Sequence, residues 1–155
     1  MREIEILFRG KSVNSGEWVY GDLVRIPNGD SFEYYIISDF DDMDGIYDVG
    51  KYAIKVIPET VSEFCGLTDK NGKKIFEGDI IQFGEDEEYD WEFNIGVVKF
   101  GEGTFDSGIY VYTGFFYEDR KGNIDHNTLY DWEEDWERCK VIGNIHDNPE
   151  LLNKE

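Results

Sequence analysis

Apolar and polar residues alternate in short runs along most of the chain, and turn-forming residues separate the runs. An alternation of period two is typical of strands that bury one face against a core. The strands predicted in this way occupy residues 4–8, 18–26, 32–37, 52–57, 80–83, 93–100, 109–117 and 139–145. Polar, glycine-containing stretches at residues 10–16 and 101–103 are predicted turns. The predicted fold class is therefore mainly β.

The segment from Pro58 to Phe83 carries several different signals in close succession. Thr60 and Glu63 have the spacing of a capping box, and Gly66 can end a helix, so a short helix is predicted here. The dipeptide Asn71-Gly72 then predicts a type I′ hairpin turn, because both residues tolerate positive φ angles. We call this stretch the helix–hairpin segment.

Two further patterns complete the predicted elements. Val61, Phe64 and Leu67 lie at three-residue intervals and would share one face of the predicted helix. A second bend is expected at Glu77-Gly78-Asp79, where glycine permits the bend and aspartate can accept a local backbone N–H. Pro149 predicts a terminal helical turn, since its missing N–H costs little at a first helical position. The expected fold is thus β with two short helices.

The length of 155 residues favours one domain over residues 1–155. Two β subdomains, at about residues 1–57 and 77–146 and joined by the helix–hairpin segment, are the alternative. The strands between residues 77 and 145 are expected to close as a small SH3-like barrel in the C-terminal half, with the N-terminal strands packed beside it.

The chain is strongly acidic, with 15 lysines and arginines against 35 aspartates and glutamates and a net charge of −20. This charge repels nucleic-acid phosphates and anionic lipid, so neither nucleic acid nor membrane is expected as a direct partner. The densest basic groups are Lys70 with Lys73 and Lys74, and Arg120 with Lys121. Neither group is large enough to follow a phosphate backbone.

The cellular location is predicted from the apolar runs, the first residues and the cysteines. No apolar run approaches the roughly 20 residues that span a bilayer, and the first residues alternate charged and apolar side chains, unlike a signal peptide. Cys65 and Cys139 form no motif, and a reducing cytosol suits them best. A cytoplasmic protein is expected, and whether the two cysteines are close in space stays open.

The acidic loop from Asp39 to Asp48 raises the question of a cation site. An EF-hand alignment fails, because it places Phe40 at the first ligand position and Lys51 at the twelfth. Asp42 and Asp44 stay candidates for an irregular cation site, although a solvated loop is the preferred interpretation.

Catalytic chemistry finds little support in the residue pattern. Cys65 would need a base to act as a nucleophile, and the two histidines, His126 and His146, are distant in sequence. The two histidines and the two cysteines, Cys65 and Cys139, also do not occur in the closely spaced pairs that are typical of zinc ligands. No glycine-rich phosphate loop occurs. We therefore assign no catalytic residue and no cofactor, and binding residues stay unknown.

Aromatic residues concentrate late in the chain and could form a core, a base-stacking platform or a protein-binding patch. They are Tyr110, Tyr112, Phe115, Phe116, Tyr117, Tyr130, Trp132 and Trp136. Acidic neighbours from Asp131 to Glu137 disfavour a phosphate-bearing ligand, so core packing is preferred for most of them.

Four motifs occur in a fixed order along the chain. They are Trp18-Val19-Tyr20-Gly21-Asp22-Leu23, the helix–hairpin segment, Gly96-Val97-Val98-Lys99-Phe100, and the closing stretch from Val141 to Leu152. In order and spacing they resemble the YopX family, whose proteins are encoded by phages and prophages. The resemblance implies a phage origin and a mainly β fold, and it transfers no catalytic residue.

Three functions follow as hypotheses. The first is a non-enzymatic phage accessory protein that binds an unknown protein partner, for which a host protein is one candidate and self-association another. The second is an acidic DNA mimic that blocks a host nucleic-acid-binding protein, because its charge would be complementary to a basic site. The third is an unrecognised hydrolase or cation-dependent enzyme, so enzymatic activity stays open.

Overall fold

The computed structural model describes residues 5–38, 49–89, 91, 93–105, 110–125 and 138–153. Its strands and its α-helical turn are β1 (Phe8–Lys11), β2 (Trp18–Asn28), β3 (Ser31–Ile37), α1 (Val49–Tyr52), β4 (Ala53–Val56), β5 (Ser62–Thr68), β6 (Lys74–Phe76), β7 (Asp79–Phe83), β8 (Asn94–Phe105), β9 (Tyr110–Asp119), β10 (Ile124–Asp125) and β11 (Cys139–Asn144). Two 3₁₀ turns span Pro58–Thr60 and Pro149–Leu152. The mainly β class is confirmed.

The chain divides into two compact units, an N-terminal unit (Met1–Phe64) and a C-terminal unit (Cys65–Glu155). In the N-terminal unit the strands pair antiparallel in the order β4-β3-β2-β1-β5. The end of β1 also reaches β4, where the amide of Val13 donates to the carbonyl of Lys55 at 2.9 Å. Gly10 permits this approach, because a Cβ there would lie 3.0 Å from the Cβ of buried Val56.

The C-terminal unit contains a five-stranded antiparallel sheet in the order β10-β9-β8-β7-β11. β10 and β11 are the two edges, and no pairing between them occurs in the described part of the chain. The SH3-like barrel expected for this half is therefore not closed, and the strands form an open sheet instead.

One face of this sheet packs on the core of the C-terminal unit. The fully buried members of the core cluster are Ile75, Ile81, Val98, Tyr117 and Cys139. Cys65, Leu67, Phe83, Phe115 and Val141 pack around them and are partly buried. Successive side chains of a strand point to opposite faces, so Val97 and Lys99 on β8, with Phe116 and Glu118 on β9, lie on the other face.

The short helix predicted in the helix–hairpin segment is wrong, because Ser62–Thr68 is strand β5. The true period is two, with Ser62 and Phe64 facing inward. Ser62 can occupy an inward position because its hydroxyl accepts a 3.1 Å hydrogen bond from Nε of Arg9, a buried residue of β1. Gly66 does have a positive φ of 92°, but within the strand rather than at a helix end.

The turn predicted at residues 10–16 is confirmed from Ser12 onward, where the amide of Gly16 donates to the carbonyl of Ser12 at 2.8 Å, although Gly10 and Lys11 belong to β1. The turn predicted at residues 101–103 is wrong, because β8 continues through these residues to Phe105. Partners on β9 explain the second case: Gly101 pairs with Gly114 and Glu102 with Thr113, so the two-stranded ribbon continues. Backbone pairing here overrides the local preference of glycine for turns.

Two hairpins of the C-terminal unit use the same turn, Asp69–Lys73 and Asp119–Asn123. In each, the amide of the fourth residue, a glycine, donates to the carbonyl of the aspartate at 2.9 Å. The aspartate Oδ1 accepts the amides of the third and fifth residues. The first turn therefore centres on Lys70 and Asn71, and the type I′ turn predicted at Asn71-Gly72 is displaced by one residue.

Candidate functional site

A cleft of about 680 Å³ opens on the face of the five-stranded sheet opposite the core cluster. Val97 and Phe116, both buried, contribute apolar surface to it. Ile145 and Leu152 line it from the closing stretch, whose 3₁₀ turn packs against β8. This size lies within the range of ligand-binding pockets, about 300–1,000 Å³.

Gly78 holds two walls of the cleft together. It follows β6, has a positive φ of 83°, and donates its amide to the carbonyl of Val98 at 2.7 Å. Its own carbonyl accepts the amide of Ile145 at 2.9 Å. A Cβ at this position would lie 3.4 Å from the Ile145 side chain. The predicted bend at residues 77–79 thus fixes the closing stretch at the cleft.

Asp79, the last residue of that bend, has the structural role that its sequence context predicted. Its Oδ2 accepts the amide of Phe76 at 2.9 Å, and the side chain is buried. The local hydrogen bond stabilises the bend next to Gly78.

Charged side chains of both signs line the cleft: Glu77, Lys99, Glu118, Asp119, Arg120 and Lys121. Nζ of Lys99 lies 2.8 Å from Oε2 of Glu118 across the β8–β9 pair. Burial alone would raise the pKa of Asp119, but hydrogen bonds from Asn123, Lys121 and Asn94 outweigh it and lower that pKa. These two carboxylates are therefore already engaged by partners within the unit.

Arg120 is only weakly neutralised within the described residues. Its side chain is only 18% exposed, and its nearest paired carboxylate oxygen belongs to Glu87, at 4.0 Å from Nη1. Nε is buried and has no hydrogen-bond partner. The backbone amide donates to the carbonyl of Ile95 at 3.1 Å, which fixes the start of the turn. The terminal guanidinium nitrogens, rather than Nε, are therefore the donors that a ligand can reach.

Cys65 and Cys139 belong to the core cluster of the C-terminal unit and are both free thiols. Burial raises the pKa of each thiol to about 12. A thiol must lose its proton to act as a nucleophile, so neither cysteine is activated. The environment of Cys65 is that of a packed side chain in the core.

We expect both thiols to resist a thiol-specific reagent at pH 8 in the folded protein and to react fully after unfolding in denaturant. Because the folded state holds these protons more tightly, their contribution to stability is complete below the unfolded pKa, near 9, and declines as the pH rises towards 12. Absorbance titration of released reagent measures the reactivity. Rapid labelling of the native protein at pH 8 would contradict the buried assignment.

Several predicted candidates lie outside the described residues: Asp42, Asp44, His126, Tyr130, Trp132 and Trp136. His146 lies in the turn after β11, where its amide donates to Oδ1 of Asn144 at 3.0 Å. Tyr117 is in the core cluster and Phe115 packs against it, in agreement with the core interpretation, whereas Phe116 lines the cleft on the other face. In the ranges that the structure covers, no group of three or more His, Cys, Asp or Glu side chains is arranged to hold a metal ion.

No helix in the described ranges is both long enough and apolar enough to cross a bilayer. The cleft itself was not predicted from the sequence. Arg120 and Lys121 were noted only as a small basic group, and Gly78 only as a bend. These residues lie near Ile145 only because backbone hydrogen bonds join segments that are far apart in the chain.

Comparisons with known proteins gave a family and a structural neighbour. The family model described as "YopX protein" matches residues 7–153. Among solved structures, the chain is similar to protein EF1440 from Enterococcus faecalis, with 23% sequence identity and a TM-score of 0.48. That match covers 97% of this chain and 100% of the other. No curated protein matches the chain.

Proposed function

Since the chain belongs to the YopX family, we propose that it is an accessory protein of a phage or prophage that acts by binding another protein. In this proposal it works in the cytoplasm of the host cell and performs no catalysis. The phage association rests on the family resemblance, and the binding role rests on the cleft.

The cleft supports a binding role through its chemistry. Apolar residues of β8 and β9 lie beneath a mixed-charge rim, an arrangement typical of sites that bury part of a partner. The two cysteines have pKa values raised to about 12, so neither supplies an activated nucleophile. A cleft of about 680 Å³ is large enough for a few side chains of a partner protein, and this is the observation that carries the proposal.

Affinity capture with a cleft variant tests the proposal. Ile145 is 39% exposed and lines the cleft, so Ile145→Gln removes apolar contact area with little effect on the core. We expect the immobilised wild-type protein to retain one or more proteins from a lysate of the cells that carry the gene, and Ile145→Gln to retain at least tenfold less of them. Quantitative mass spectrometry measures the difference.

Ile26→Gln is the matched control, because Ile26 is 45% exposed and lies on β2 in the other unit. It should retain the same proteins as the wild type. Equal capture by all three proteins, or equal loss in both variants, would show that the cleft is not the binding site.

The net charge of −20 favours a second function, a DNA mimic that occupies the basic site of a nucleic-acid-binding protein. The two functions differ in salt dependence. Capture by mimicry should fall steeply as salt rises and should be competed by duplex DNA, whereas binding through the apolar cleft should persist at high salt. Salt-resistant capture would exclude mimicry.

A further inference from the structure

We infer that the cleft recognises an acidic segment of its partner, one that places a side-chain carboxylate on Arg120 and Lys121 and an adjacent apolar side chain beside Phe116 and Ile145. This inference rests on the proposed function and assigns the chemistry of the partner at the same site. It runs against the overall charge of the protein: three acidic and three basic side chains line the cleft, and Arg120 and Lys121 form the part of its wall with local positive charge.

The distribution of partners produces this local charge. Glu118 is paired with Lys99 at 2.8 Å, and Asp119 accepts the amides of Lys121 and Asn123 within its own turn. Glu77 also has an interaction partner. The carboxylates of Glu118 and Asp119 are therefore occupied by groups of the C-terminal unit.

Two cations of the rim have donors left for a ligand. The guanidinium of Arg120 makes one long ion pair, from Nη1 to Glu87 at 4.0 Å. Within the described residues, no hydrogen bond or ion pair engages the ammonium group of Lys121, which is exposed. A carboxylate is the complementary group, since guanidinium and ammonium donors form their strongest hydrogen bonds with ionised oxygens.

The apolar part of the cleft sets the second requirement. Phe116 presents an apolar surface on the same sheet face as Lys99 and Glu118. Ile145 and Leu152 line the cleft from the closing stretch. A ligand with charge alone would leave this apolar surface exposed to water, whereas an apolar side chain next to the carboxylate would bury it.

The test uses two isosteric tripeptides, acetylated at one end and amidated at the other, with the sequences Phe-Glu-Leu and Phe-Gln-Leu. They are titrated into the full-length ¹⁵N-labelled protein and followed by amide chemical shifts. We expect Phe-Glu-Leu to shift the amides of Gly78, Val97 and Gly122, and Phe-Gln-Leu to bind at least tenfold more weakly. Arg120→Gln and Lys121→Gln should each reduce this preference.

Lys73→Gln is the matched control, because Lys73 is an exposed lysine of the equivalent turn, Asp69–Lys73. It should leave the preference unchanged. Equal binding of both peptides would overturn the acidic assignment while leaving the cleft as a binding site. Absence of any shift at the cleft, at millimolar peptide, would count against both this inference and the proposed function.

A third probe, Phe-Gln-Leu with a free carboxyl end, distinguishes the source of the carboxylate. We expect it to bind no better than its amidated form. If it alone binds tightly, the assignment to an internal acidic side chain is wrong and a chain end is the ligand.

Discussion

Replacing Asp69 by alanine should lower the free energy of unfolding by about 3 kcal/mol, a fall of roughly 6–12 °C in melting temperature for a chain of this size. Asp69 is only 5% exposed. Its Oδ1 accepts the amides of Asn71 and Lys73, and its Oδ2 accepts the amide of Val141, each at 2.9 Å. Alanine removes all three acceptors, and the part-buried amides left without them carry most of the cost. Thermal and urea denaturation measure the effect.

Asp119 is the natural control for this prediction because it forms the same turn in another hairpin. Its further partners are the side-chain amides of Asn123 and Asn94 rather than the backbone of a distant strand. Asp119→Ala should therefore cost only about 1 kcal/mol. If the two alanine variants lose equal stability, the bond from Val141 to Asp69 contributes nothing measurable.

Gly96→Ala should destabilise the protein by about 3 kcal/mol or prevent its folding. A Cβ at Gly96 would lie 2.2 Å from the carbonyl oxygen of Glu118 and 2.7 Å from Cα of Asp119. Both contacts are with backbone, so no side-chain rotation relieves them and β8 must move away from β9. Because the cleft is lined by these strands, we also expect weaker binding of any cleft ligand. Denaturant unfolding with far-ultraviolet circular dichroism measures the loss.

Gly114→Ala provides the comparison within the same pair of strands. Gly114 lies on β9, and a Cβ there would meet no atom within 4 Å. Removing a glycine from a strand restricts the unfolded chain, so this variant should be neutral or more stable by up to about 1 kcal/mol. Similar destabilisation in both variants would show that loss of glycine flexibility, not the close approach, causes the effect.

The strands were predicted well wherever hydrophobic alternation alone decides the structure. β2, β3, β7 and β11 begin within one or two residues of their predicted positions. The prediction failed where a distant partner changes the local preference. Ser62 faces inward only because Arg9 donates to it, and residues 101–103 stay extended only because β9 pairs with them.

The candidate site could be predicted only in fragments. The bend at Gly78 was visible, since glycine between polar residues marks such a position. Nothing in the sequence indicated that Gly78 would accept the amide of Ile145. The role of Gly96 was equally hidden, because a glycine required by a close backbone contact looks the same in sequence as one that forms a bulge.

The two oxygens of Asp69 also set an order of events on the ribosome. Asn71 and Lys73 emerge almost together with Asp69, whereas Val141 is 72 residues further along. At translation rates of about 5–20 residues per second, that amide arrives roughly 4–14 s later. A nascent chain therefore presents a finished hairpin whose second oxygen still faces water, and we expect the hairpin to become anchored only after Val141 has been synthesised.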